Sequence, residues 1–156
     1  MMEHVNWVKG AITAVCAALT ALWGWFGWLL VAWVALMAID YVTGSAAGMR
    51  AGKWSSKIAR DGILHKAGSI AIVLVAGLAD MLLGTVLGHL PGIRLPWDYT
   101  ILLCPVVVVW YALTEMGSII ENAVALGAPC PPWLSDGIGK MLDAVDKAGG
   151  GDDDGK

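Results

Sequence analysis

From Gly10 to Ile39 the chain carries no charged side chain. In lipid such a run has few ways to satisfy its backbone N–H and C=O groups, and a helix is the simplest. A single helix over this stretch would reach roughly 45 Å at about 1.5 Å per residue, against a hydrocarbon core of about 30 Å. Tilt absorbs part of the excess, and a break absorbs all of it. The sequence offers one at Trp23-Gly24-Trp25-Phe26-Gly27-Trp28. Its two glycines permit a tight turn, and its tryptophans favour the water–lipid boundary. This predicts one helix over about residues 5–22 and a second over about 28–50, with one long tilted helix as the rival reading. Composition agrees with a membrane setting. The 156 residues are 58% hydrophobic and 15% charged, where a soluble domain carries about a quarter of its residues charged. Mean hydropathy is +0.68. The expected fold class is all-α: a polytopic membrane protein with four transmembrane helices, or three in the rival reading, plus a short C-terminal amphipathic helix.

The stretch Met37–Lys66 follows, and beyond Asp40 it concentrates positive charge: Arg50, Lys53, Lys57, Arg60 and Lys66 against Asp61. Basic loops stay on the cytoplasmic side, so these five residues are expected to set the topology. Asp40, Gly44, Gly48 and Gly52 recur every fourth residue, which places them on one helix face. Stripes of small residues let helices approach closely in lipid. A second stripe, Ala76, Asp80, Gly84 and Gly88, lies in the next apolar run, read as a helix over about 63–90. A loop follows at Leu90–Pro96, punctuated by proline and glycine, with Trp97 and Tyr99 as interfacial anchors.

The last apolar helix is expected from about Thr100, with Pro105 tolerable in its first turns. Gly127 reads as its cap, and prolines 129, 131 and 132 prevent continuation. Leu134, Ile138, Met141, Leu142 and Val145 then fall at helical spacing, opposite Asp136, Lys140, Asp143 and Asp146. Such a helix lies on a membrane or packs on a partner. The tail 149–156, all Gly, Asp and a final Lys, has nothing to bury and is expected to be disordered. The chain thus divides into a transmembrane unit (1–127), a cytoplasmic amphipathic segment (128–148) and the tail. With the basic stretch inside, the C-terminus is cytoplasmic for either number of spans, and the N-terminal apolar stretch is expected to be retained rather than cleaved.

Four acids lie in or at the edges of the spans: Asp40, Asp80, Glu115 and Glu121. Each costs about 2.5–3.5 kcal/mol at mid-bilayer, so each needs a reason to be there. They are candidates to line a water-filled path between subunits, to relay protons, or to join helices by hydrogen bonds. For the last role Asp80 would meet Tyr41 or the Ser118/Asn122 face, and Asp40 would pair with Arg50 or Lys66. Signatures of catalysis are missing: there is no nucleophile with a positioned base and no phosphate-cradling glycine loop. His4, His65 and His89 are scattered, and Cys16, Cys104 and Cys130 lack metal-ligand spacing. No enzyme activity, cofactor, metal or nucleic-acid partner is expected.

Ile39-Asp40-Tyr41-Val42-Thr43-Gly44, Ser55-Ser56-Lys57-Ile58 and Gly62-Ile63-Leu64-His65-Lys66-Ala67-Gly68 resemble the signature of the toxin secretion/phage lysis holin family, phage holin family 4. Leu78-Ala79-Asp80 matches that family's acid in the third span. Glu115-Met116-Gly117-Ser118-Ile119-Ile120-Glu121-Asn122, then Leu126-Gly127-Ala128-Pro129 and Pro131, resemble its ending. The resemblance covers roughly residues 20–145 in order. It implies a small phage-encoded or prophage-encoded protein of the bacterial inner membrane. Such a protein would oligomerise and open lesions that release an endolysin or a toxin, with the endolysin a functional partner and no direct contact needed. The Trp-rich first turn, the 90–96 loop and the tail depart from the family pattern. A small ion or proton channel or transporter, and an antiholin that regulates a holin, are the competing readings.

Overall fold

The computed structural model describes residues 2–90 and 101–148. They form four helices: α1 (Met2–Arg50), α2 (Ser56–His89), α3 (Leu103–Ala125) and α4 (Pro132–Ala148). The expected outer loop with Trp97 and Tyr99, and the Gly/Asp tail, lie outside the described residues.

The break in the first apolar run is a single residue. Gly24 has φ 55° and ψ −136° inside an otherwise helical α1, a conformation that side-chain-bearing residues avoid. Across it the Trp28 indole donates to Thr20 Oγ1 at 2.9 Å. The expected pair of helices is thus present within α1, separated by a sharp one-residue kink in place of a longer turn. Three segments are long and apolar enough to cross a membrane: Gly24–Arg50, Ser56–His89 and Leu103–Ala125. The segment before the kink is not among them, which favours three spans over four. Its uncharged part begins only at Gly10 and reaches Trp23, about 21 Å of helix, which is short of the bilayer core.

Local chemistry sets the helix ends. After α1, Gly52 has φ 67° while Lys53 N–H reaches the Gly48 carbonyl at 3.0 Å and Gly52 N–H the Met49 carbonyl at 3.1 Å. After α3, Gly127 has φ 90°, and Ala128 N–H reaches Ala123 O at 3.0 Å while Gly127 N–H reaches Val124 O at 2.9 Å. Both are Schellman motifs, which satisfy the last carbonyls of a helix. Gly127 caps as expected. Gly52 is not part of a helix face at all, because the helix stops two residues before it. α2 begins at Ser56, earlier than the expected 63, because Ser55 is extended and its side chain accepts from Ile58 N–H at 3.2 Å. Lys57 and Arg60 thus sit on the first turns of a helix rather than in a loop. At 34 residues α2 is about 51 Å long, so those charged turns project beyond the hydrocarbon core.

α3 is the centre of the bundle and packs against each of the other helices, most extensively against α1, while α1 and α2 touch least. Trp33 and Met37 from α1, Val73 and Ala76 from α2, and Cys104 and Val108 from α3 form the core. The Trp33 and Tyr111 rings lie 6.0 Å apart. The outer surface of α2 beyond its first turns is apolar: Leu64, Leu74, Val75, Met81 and Leu82 are all exposed, whereas Ser69, Asp80 and Glu115 are buried. That is the reverse of a soluble protein, where acids are almost never buried and large exposed apolar patches are rare. Lipid is the solvent that suits it.

The small-residue stripes divide by role within the chain. A Cβ on Gly44 would come 3.3 Å from Asn122 Nδ2, so this glycine lets α1 and α3 close together. Gly48 faces Trp54 of its own turn, and Gly88 faces open space. Ala76 is in the core, and Gly84 is half-buried. Gly77, outside either stripe, is the close approach between α2 and α3, with Cys104 Sγ at 3.6 Å from its would-be Cβ.

Candidate functional site

Three charged side chains from three helices converge on one flank of the bundle. Lys66 of α2 places its Nζ 2.9 Å from Asp40 Oδ2 of α1 and 2.6 Å from Glu115 Oε2 of α3. The other oxygen of Asp40 accepts from Asn122 Nδ2 at 3.0 Å. The same amide lies 3.4 Å from Thr43 Oγ1, whose hydroxyl donates to the Ile39 carbonyl at 2.9 Å. Charge-assisted bonds of this kind are about twice as strong as neutral ones. Here they join α1, α2 and α3, and they account for the presence of two acids and one base inside spans. With two carboxylates and one ammonium, the cluster retains one negative charge if all three are ionised.

An open cleft of about 710 Å³ adjoins the cluster, with Asp40, Tyr41, Lys66, Ser118, Glu121 and Asn122 on its wall. Lys53, Trp54, Asp61 and His65 from the α1–α2 turn and the start of α2 also line it. Polar side chains thus extend along the wall beyond the ionic cluster, interleaved with Trp54, Ile58 and Ala59. Among the described residues, no group of three or more His, Cys, Asp or Glu side chains is placed to hold a metal ion.

Asp80 is elsewhere, at the opposite end of α3. Its Oδ1 accepts from the backbone N–H groups of Leu102 at 3.2 Å and Leu103 at 2.9 Å, and its Oδ2 from Cys104 N–H at 2.7 Å. The first turn of any helix leaves N–H groups without intrahelical partners. Leu102, at the capping position, has no side chain able to serve them. Pro105 has no N–H to satisfy, and Val106 N–H returns to the Leu102 carbonyl at 3.4 Å. A carboxylate from α2 therefore does what an N-cap residue of α3 would do, at the positive end of the helix dipole. The expected partners of Asp80, Tyr41 or the Ser118/Asn122 face, are replaced by the backbone of α3. At the far end, the Arg50 guanidinium of α1 donates to the Leu126 carbonyl, the negative end of the same dipole. Arg50 is thus drawn to α3, and Asp40 pairs with Lys66.

The four acids thus separate. Asp40 and Glu115 share Lys66, and Asp80 caps α3. Glu121 is exposed on the cleft wall. Of the five bases, Lys66 is turned inward and Arg50 is bonded to α3, while Lys53, Lys57 and Arg60 are exposed. Sequence reasoning missed Asn122 as the second partner of Asp40, and Arg50 as a C-terminal cap. No residue type near the start of α3 signals the Asp80 contact, because the groups it serves are backbone N–H groups.

An all-helical bundle of three long apolar spans, with large apolar side chains outward and Asp80 and Glu115 buried, defines a multi-pass membrane protein that associates with the lipid bilayer. Within that class the family is clear: residues 17–143 match the bacteriophage holin family, and the chain belongs to it. This is a family of non-enzymatic, pore-forming membrane proteins. The chain is 27% identical over 143 residues to an uncharacterised 14.9 kDa protein from the region 3′ of nagH in Clostridium perfringens, covering 90% of this chain and 97% of that one. It is 31% identical over 131 residues to an uncharacterised protein of Halalkalibacterium halodurans, covering 84% and 90% respectively. No solved structure matches it.

Proposed function

We propose that this chain is a holin. It accumulates in the bacterial inner membrane, associates with further copies of itself, and at a set time opens lesions through which an endolysin, or a toxin, leaves the cytoplasm. The family match over residues 17–143 carries this reading. The site supports it physically. Asp40, Lys66 and Glu115 bond one another across three helices, which suits them to hold those helices in one arrangement. A change of assembly state needs no catalytic residue. The apolar outer face of α2 and the small, exposed Gly88 are the surfaces through which copies meet, since helices associate in lipid by close packing.

In this reading Lys53, Lys57 and Arg60 keep the α1–α2 turn in the cytoplasm. With three spans the N-terminus is then outside and α3 returns the chain to the cytoplasmic side. The test is expression in bacteria with and without a co-expressed endolysin, with membrane potential followed over time. A holin gives a delay, then abrupt collapse of the potential, and lysis only when endolysin is present. Graded, substrate-dependent flux without abrupt collapse would instead identify a channel or transporter. No collapse alone, but delayed collapse of a known holin on co-expression, would identify an antiholin.

A further inference from the structure

α4 does not leave the bundle; it doubles back along α3. Ile138 is buried, and with Leu142 it adjoins Leu113 and Gly117 of α3. Near the other end of α4, Asp146 Oδ1 accepts from the Trp110 indole at 2.6 Å. Trp110 lies 15 residues before Ala125 at the end of α3, about 22 Å along the helix axis. α3 is a candidate span of 23 residues. A helix docked along it this far therefore lies at the depth of the bilayer and not on its surface.

The face of α4 turned away from α3 does not suit that depth. Asp136, Lys140, Asp143 and Lys147 are all exposed, and their spacing sets them in one stripe along the helix. Each would cost about 2.5–3.5 kcal/mol against lipid near the bilayer centre, and the bundle offers them no cover. Trp133 and Met141, by contrast, form an exposed apolar edge beside the stripe. A helix with one face on a span, one apolar edge and one charged stripe fits a boundary between protein, lipid and water.

We infer that the charged stripe of α4 lines the water-filled lumen of the assembled lesion. The inference rests on the holin reading and deepens it: copies assemble so that their α4 stripes face one another across water, with α3 behind them.

The test uses the full chain reconstituted in liposomes with an entrapped dye. One variant replaces Asp136, Lys140, Asp143 and Lys147 by Leu. A second replaces the two aspartates by Asn and the two lysines by Gln. The Leu variant is expected to insert and to give the same cross-linked oligomers as the unaltered protein, with dye release at least tenfold slower. The Asn/Gln variant, polar but uncharged, is expected to release dye at the unaltered rate. Unaltered release from the Leu variant would overturn the inference while leaving the holin reading intact, because the lumen would then be built elsewhere. Loss of oligomers in the Leu variant, or loss of release in both variants, would overturn it too, by making the stripe a contact between subunits. Failure of the unaltered protein to release dye at any surface density would remove the holin reading and the inference together.

Discussion

At its N-terminus α3 offers free N–H groups to Asp80, a side chain only 2% exposed; at its C-terminus it offers the Leu126 carbonyl to Arg50, which is exposed. Both partners come from other helices, and each has the sign that the dipole favours at that end. The surroundings differ. The C-terminus already has the Schellman turn at Gly127, so its carbonyls are largely served before Arg50 arrives. The N-terminus has no side-chain cap of its own and is closed by a group with almost no access to solvent. The same kind of contact is therefore structural necessity at one end and reinforcement at the other. Burial decides which.

Three substitutions test how deep that asymmetry runs. The largest effect belongs to Asp80→Leu, which leaves the N–H groups of Leu102, Leu103 and the buried Cys104 without their acceptor, at about 1–3 kcal/mol each. A total loss of roughly 4–6 kcal/mol is expected for the three N–H groups orphaned, read by unfolding in detergent micelles, with Asp80→Asn retaining a good part through its amide oxygen. A Leu variant as stable as the original would mean that the end of α3 is served by other groups. Next comes Lys66→Met, which leaves Asp40 and Glu115 facing each other without a cation. Breaking a fully buried pair in this way costs about 3–5 kcal/mol; this part-buried cluster is expected at or below the lower end, and adding Glu115→Gln should return part of the loss. A double variant no more stable than the single one would show that the two acids do not oppose one another. The smallest effect belongs to Arg50→Gln, expected at about 0.3–1 kcal/mol for an exposed charge at a helix C-terminus. A loss there equal to that of Asp80→Leu would erase the distinction between the two ends.

Features that depend on one residue or on a local pattern could be read from the chain itself. The break was expected among Trp23–Trp28 and falls at Gly24, because a glycine in an apolar run is an obvious place for unusual dihedrals. Gly127 followed by prolines read correctly as a cap. The spacing of Leu134, Ile138 and Leu142 marked a helix with one packing face. What pairing in space decides was harder to read. Asp80 bonds to backbone N–H groups, and every residue but proline has one, so nothing in the composition near Leu102 names the partner. Lys66 looks like the other bases of its stretch, and only the fold turns it inward. Gly52 shares the four-residue spacing of Gly44 and Gly48, yet spacing does not show where a helix stops. The number of spans turned on how far Glu3 and Lys9 shorten the first apolar stretch, a question of length in ångströms rather than of residue type.

The kink at position 24 has a consequence for how the protein is housed. Without it the 49 residues of α1 would form one straight rod of about 74 Å, more than twice the thickness that a hydrocarbon layer can accept. Only a residue lacking a β-carbon takes this bend without strain, so a substituent of a few atoms there would set the preceding arm and the first span in competition for the same layer. Placement in the membrane depends on an atom that is not there.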